Sequence, residues 1–146
     1  MEWFNPYGFV FVSLLMIPNI IFAIKHKDGF SNLYKNKIVE LLEQIGRYGC
    51  IVTMAVNMPF SSFGFTSDEA FAIYLIVDSA LILTYCLIWA ICFRQDSVFR
   101  ALSLSIIPSV VFLFSGTMSR SVLLTIMAAI FAPSHILVSY KNATAK

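Results

Sequence analysis

Apolar residues in this chain gather into five long stretches that are separated by short polar segments. The stretches cover residues 7–24, 38–58, 70–93, 98–115 and 121–140. A helix needs roughly 20 residues to cross a hydrocarbon core of about 30 Å, and each stretch is close to that length. The pattern therefore predicts an all-α integral membrane protein, in which five transmembrane helices form a single bundle. We expect residues 1–146 to form one membrane domain, with a basic cytoplasmic loop at 25–37.

The second stretch begins with an amphipathic segment. Its apolar residues recur at the spacing of one helix face, and the opposite face carries Glu40, Glu43, Gln44 and Arg47. We expect one long helix whose first part projects from the membrane or lies in the interface. Two glycines weaken a helix interior, so a break between Gly46 and Gly49 is the alternative to a continuous helix.

Composition supports a lipid environment. Of the 146 residues, 59% are hydrophobic and 12% are charged, whereas a soluble domain carries about 25% charged residues. The formal net charge of +2 is too small to indicate nucleic acid as a partner. Cys50, Cys86 and Cys92 have a spacing that fits no metal or redox motif, so we expect three reduced and buried thiols.

The basic residues predict an orientation. Nine of the ten Lys and Arg residues lie in alternate gaps between the apolar stretches or close the chain, and Arg120 is the exception. Cytoplasmic loops of membrane proteins carry an excess of Lys and Arg. We therefore expect a multi-pass protein of a bacterial-type plasma membrane, with the N-terminus outside and the C-terminus in the cytoplasm.

Asp78 is the clearest polar residue at membrane depth. An Asp at a helix centre costs roughly 2.5–3.5 kcal/mol on insertion scales, so the face that it shares with Tyr74, Tyr85 and Trp89 is expected to point into protein or water. One interpretation is a cation or proton site, or a ligand-binding carboxyl. The other is a carboxyl held by packing partners, with Arg120 as a candidate for an outer ion pair.

A second polar layer is predicted nearer the cytoplasm. By the helical rise of about 1.5 Å per residue, Asn19 and His135 reach similar depths. Asn19 directly follows Pro18, and His135 comes two residues after Pro133. Glu40, Glu43 and Arg47 enter the same region from the start of the second helix. We hypothesise an inward-facing pocket made of these five residues. The alternatives are a solvated end for the glutamates, and for His135 packing along a stripe of small and polar residues.

No catalytic motif of high specificity is present. The chain has no Gly-x-Ser-x-Gly, no His-Glu-x-x-His and no P-loop, which favours a role other than that of an enzyme. Glu40 and Glu43 form a Glu-x-x-Glu pair without the Glu-x-x-His of di-iron bundles. We therefore predict no metal site and no cofactor.

Three classes of function fit these features. The first is transport or permeation of a small solute, with Asp78 and the inner pocket as two polar sites along one transport pathway. The second is the binding or sensing of a small amphipathic ligand between helices. The third is an accessory or structural subunit of a larger membrane complex. Five helices leave little room for a pathway, so we expect a homo-oligomer, with a dimer favoured, in contact with membrane lipids.

The size and the number of spans are similar to those of the translocator protein family. That resemblance implies a small-molecule sensor with a comparable architecture. The family's characteristic Trp–Pro sequences are missing, because neither Trp3 nor Trp89 stands beside a proline. The resemblance therefore concerns architecture and transfers no site residues.

Overall fold

The protein, described here by a computed structural model over residues 3–26, 34–95 and 97–145, folds there into five α-helices. They are α1 (Pro6–Lys25), α2 (Lys37–Ala55), α3 (Asp68–Cys92), α4 (Val98–Met118) and α5 (Val122–Thr144). The predicted all-helical bundle is thus confirmed. Most of the predicted basic loop at 25–37 lies outside the described residues.

Each helix begins at a polar side chain that caps its first turn. The capping residue accepts a hydrogen bond from a backbone N–H two or three positions further along, which satisfies a group that has no partner within the helix. The five caps are Asn5, Asn36, Ser67, Ser97 and Ser121. The short polar segments between the apolar stretches therefore set where the helices start.

Four of the five helices are long and apolar enough to cross a membrane, namely α1, α3, α4 and α5. Large apolar side chains such as Ile76 and Ile91 are exposed on the outer faces of these helices. Contact of these side chains with water would be unfavourable. The chain is therefore a membrane-embedded protein. The place of α2 and the orientation of the bundle stay predictions.

The helices form a closed ring. Helix α1 packs on α2 and α3, α3 packs on α4, α4 packs on α5, and α5 packs on α2. At one end of the ring α1, α3 and α5 end while α2 and α4 begin. We call it the basic end, because it carries Lys25, Lys37, Arg94, Arg100 and Lys141.

The opposite end, the loop end, is closed by backbone hydrogen bonds. The N–H of Asn5 donates to the carbonyl of Ala55 over 2.8 Å, which joins the start of α1 to the end of α2. The N–H of Val122 donates to the carbonyl of Ser61 over 2.8 Å, which joins the start of α5 to the loop between α2 and α3. Backbone hydrogen bonds therefore connect neighbouring segments of the ring at its loop end.

Helix α2 is continuous through both glycines, so the alternative of a break is not found. The glycines instead let α5 approach closely. A Cβ atom on Gly46 would lie 2.7 Å from the Cα atom of Phe131, and one on Gly49 would meet the side chain of Met127. Small residues at helix interfaces permit such contacts, and the close packing offsets the weak helix propensity of glycine.

Candidate functional site

A cavity of about 790 Å³ lies inside the ring and reaches the basic end. All five helices contribute to its lining. Asn19, Glu40, Glu43, Arg47 and His135, the residues of the hypothesised inward-facing pocket, all line it. The structure thus brings these five side chains around one space.

Helix α2 turns its polar face towards the cavity and its apolar face away from the bundle. Glu43 is buried and Gln44 and Arg47 line the cavity, while Ile38, Ile45 and others on the opposite side are exposed. In the structure the first part of α2 forms a wall of the ring, with its charges turned inwards. The prediction that this part projects from the membrane or lies in the interface stays a prediction.

Glu43 is the centre of a charged network on the wall formed by α2 and α5. Its Oε1 atom lies 2.8 Å from His135 Nδ1, and the Arg47 guanidinium one turn further along α2 forms an ion pair with the same oxygen. Because a carboxylate only accepts hydrogen bonds, His135 Nδ1 carries the donated proton. The side chain of Glu43 is 7% exposed and that of Arg47 is 34% exposed, so the guanidinium is the part open to the cavity.

Phe131 fixes the orientation of the histidine ring. The two rings stack with their centroids 4.6 Å apart and their planes 17° apart. Phe131 is itself held by its contact with Gly46 of α2. The close approach of α2 and α5 therefore positions His135 for its bond to Glu43.

The opposite wall is polar and uncharged. Asn19 Nδ2 donates to the carbonyl of Leu15 over 2.8 Å and to Tyr85 Oη over 2.6 Å. Tyr85 is buried, and Trp89 lies one turn further along α3. Asn19 thus pairs across to α3, and a charged wall faces a neutral hydrogen-bonding wall.

The deep part of the cavity is apolar, and its mouth is charged. Val12, Ile51 and Phe112 line the deep part, nearest the loop end, and Lys37, Glu40 and Arg100 line the mouth. The Arg100 guanidinium lies 5.3 Å from the Phe22 ring centroid and donates to two carbonyls at the end of α3. Arg100 therefore holds α3 and α4 together at the rim of the mouth.

Asp78 lies outside this cavity. It is fully buried, and Ser115 of α4 donates a hydrogen bond to its Oδ2 atom. Its Oδ1 atom has no hydrogen-bond partner within the described part of the chain. The α3 face that Asp78 shares with Tyr74, Tyr85 and Trp89 is thus divided, because only Tyr85 and Trp89 reach the cavity.

The predicted outer ion pair between Asp78 and Arg120 is not formed across the described residues. The Arg120 guanidinium donates to the carbonyls of Gly64 over 2.8 Å and Phe63 over 3.0 Å. Arg120 has a φ of 52°, a left-handed conformation that turns the chain from α4 into α5 at the loop end. Bringing its guanidinium to a buried carboxyl would cost desolvation, whereas Ser115 offers a neutral donor within the core.

Two residues that matter for the site were not predicted from the sequence. Phe131 lies one turn before His135 on the same face, which is the only signal for its stacking role. Arg100 carries no signal beyond its place at the start of a helix. Among the described residues no group of three or more His, Cys, Asp and Glu side chains is arranged to hold a metal ion.

In comparisons with protein-family models, with curated proteins and with solved structures, the chain has no match. The class that the fold and the site define is a helical membrane protein with a polar cavity inside the bundle. Its functional interpretation rests on the geometry of that cavity.

Proposed function

We propose that the protein binds a small amphipathic solute in the cavity inside the ring, as a step in the transport or the sensing of that solute. The observation that carries the proposal is the network of Glu43, Arg47 and His135 on the cavity wall. Groups of this kind are costly in a membrane protein and mark functional sites there.

Packing alone does not account for this network. Replacing a buried ion pair by apolar residues of similar volume is often neutral or stabilising, because the attraction barely repays the desolvation of both charges. Glu43 and His135 belong to different helices, so the desolvation of these groups destabilises the interface between α2 and α5. Apolar residues would pack well in that interface. Binding of a solute to the exposed guanidinium of Arg47 would explain why this network of charged residues is present.

The shape of the cavity indicates the class of solute. Its volume of about 790 Å³ lies in the range of about 300–1,000 Å³ that is usual for ligand pockets. An apolar group fits against Val12, Ile51 and Phe112. A polar group then lies between Arg47 on one wall and Asn19 on the other, which requires a molecule with an apolar and a polar part.

The proposal includes α2 as a fifth membrane helix. Its outer face carries an apolar stripe of Ile38, Ile45, Tyr48 and Val52, all exposed. Its polar residues face the cavity, and these residues lower its average hydropathy without exposing charge to lipid. With the excess of Lys and Arg at the basic end, the positive-inside rule favours a cavity that opens to the cytoplasm.

Transport requires a second state in addition to binding. The cavity reaches the basic end, and backbone hydrogen bonds close the loop end. A transporter must also open towards the loop end, and Asp78 is a buried carboxyl that lies nearer that end than the α3 residues lining the cavity. Binding therefore rests on the cavity itself, and transport adds the opening of the other end.

A thermal stability assay with defined probes tests the binding. Hexanoate, hexanol and hexylamine share one apolar chain and differ in their polar group. We expect at least one of them to stabilise the purified protein in a saturable way, because a ligand that binds only the folded state raises its stability. A shift from none of the three would count against an amphipathic solute.

A matched pair of variants locates the effect. Ala101→Phe places a ring in the cavity, because Ala101 lines it, and Ala129→Phe makes the same change on the exposed side of α5. We expect Ala101→Phe to abolish the stabilisation and Ala129→Phe to retain it. If Ala101→Phe folds and keeps the full shift, the solute does not bind in this cavity.

A further inference from the structure

A second concavity lies on the outside of the ring, between α1 and α3 at the basic end. Its volume is about 510 Å³. Apolar side chains line most of it, namely Pro18, Ile21, Cys86, Ala90 and Ile91. We call it the α1–α3 groove.

Small side chains create this groove. Ala90 and Cys86 lie one turn apart on α3 and face Pro18 of α1, so that no large side chain fills the space between the helices. Trp89 is buried and lines both the groove and the cavity inside the ring. The indole therefore separates the two spaces, and the groove is a site of its own on the membrane-facing side.

Two cations stand at the end of the groove. Lys25 is the last residue of α1, and Arg94 follows the end of α3 by two residues. Both side chains are exposed, and the ammonium group of Lys25 lies 5.9 Å from the centroid of the Phe93 ring. Among the described residues, no acidic side chain lines the groove, and neither cation forms an ion pair with a carboxylate.

We infer that the α1–α3 groove binds one anionic phospholipid. Its phosphate lies between Lys25 and Arg94, and one acyl chain follows the apolar surface from Ile91 to Cys86. The distance from Arg94 to Cys86 along α3 is about 12 Å at the helical rise of about 1.5 Å per residue, so the groove holds the upper part of an acyl chain.

The charge and the surroundings select this occupant. Helices α1 and α3 are both apolar enough to cross a membrane, so their outer surface meets acyl chains. Basic residues at the ends of spans attract the anionic headgroups of the cytoplasmic leaflet. A zwitterionic lipid offers the same acyl chain but no net negative charge. A preference for the anionic lipid over the zwitterionic lipid would therefore identify the site. This inference is independent of the proposed solute in the inner cavity.

Native mass spectrometry of the protein in mild detergent tests the groove. Phosphatidylglycerol and phosphatidylcholine with identical acyl chains are added in competition, and the bound fraction of each is measured. We expect one tightly bound phosphatidylglycerol and clearly weaker binding of phosphatidylcholine. Equal binding of both lipids would overturn the inference, and so would full displacement of the lipid by sn-glycerol 3-phosphate, which would indicate a site for a free phosphate.

Charge variants connect the lipid to the two cations. Each Lys or Arg near a membrane surface contributes enough to anionic lipid binding that the pair Lys25→Gln and Arg94→Gln should weaken it about 30-fold. The matched control is the pair Lys35→Gln and Lys141→Gln, which removes the same charge from the other side of the ring. An equal loss in the control pair would show unspecific attraction and contradict the site.

A variant without a charge change tests the acyl channel. Ala90→Trp fills the groove, whereas Leu83→Trp adds the same ring to an exposed position of α3 outside it. We expect Ala90→Trp to remove the preferred phosphatidylglycerol and Leu83→Trp to leave it bound. If Ala90→Trp binds the lipid as the unaltered protein does, the acyl chain does not lie in this groove.

Discussion

Glu43 on α2 and His135 on α5 meet across the ring interface, with 2.8 Å between the carboxylate Oε1 and the imidazole Nδ1. The two residues are 92 positions apart in the chain. Their contact depends on Gly46, because a side chain there would hold α5 away from α2. A close backbone approach and a charged hydrogen bond thus reinforce each other at the wall of the cavity.

Removal of the Glu43 carboxylate should destabilise the protein. Glu43→Ala leaves His135 and Arg47 without their shared acceptor, and hydrogen bonds to charged groups are each worth about 1.5–3 kcal/mol. Arg47 is partly exposed, so its ion pair contributes little, and we expect the free energy of unfolding, measured by denaturant titration in detergent, to fall by about 2 kcal/mol. Gln44→Ala on the exposed neighbouring position is the control, with an expected change within about 0.5 kcal/mol. Equal effects of the two substitutions would argue against the network.

The two glycines of α2 should respond differently to alanine. A Cβ atom on Gly46 meets the backbone of Phe131, which moves only if the helices separate, whereas one on Gly49 meets the flexible side chain of Met127. Overpacking costs about 1–3 kcal/mol, and alanine regains up to about 1 kcal/mol of helix propensity. Thermal unfolding should show a clear loss for Gly46→Ala and little change for Gly49→Ala. The reverse order would contradict the described contact between α2 and α5.

The environment of α2 can be read from two adjacent positions. In a variant without the three native cysteines, spin labels at Ile45→Cys and Gln44→Cys report access to oxygen and to a water-soluble nickel complex. Because Ile45 faces outwards and Gln44 lines the cavity, we expect oxygen access at position 45 and nickel access at position 44. Nickel access at both positions would place this face of α2 in water and contradict a fifth membrane helix.

Much of the fold follows from the apolar pattern, and part of the site follows from depth. Depth arithmetic places Asn19 and His135 in one layer but does not show which way each points around its helix. Asn19 bonds Tyr85 of α3, and His135 bonds Glu43 of α2. The amphipathic pattern of α2 identifies a polar face without showing that the face turns into the ring. The ring order of the helices decides both, and it is a property of tertiary packing.

Asp78 should matter for the core and not for solute binding in the cavity. Asp78→Ala leaves the Ser115 hydroxyl without its acceptor, and we expect a loss of about 1–3 kcal/mol in the free energy of unfolding. Asp78→Asn keeps an acceptor for Ser115 and should lose less. Both variants should keep the thermal shift caused by the alkyl probe, since Asp78 does not line the cavity. Loss of that shift in a folded Asp78→Asn variant would show that the binding site extends beyond the cavity.

The most direct test of solute binding is native mass spectrometry of the protein taken from its membrane in mild detergent, with no ligand added. We predict a small non-lipid adduct on the unaltered protein and on Ala129→Phe, and the loss of this adduct from Ala101→Phe, whose added ring occupies the cavity. A non-lipid adduct that persists unchanged in Ala101→Phe, or the absence of any such adduct from all three proteins, would contradict a solute-binding function for the cavity.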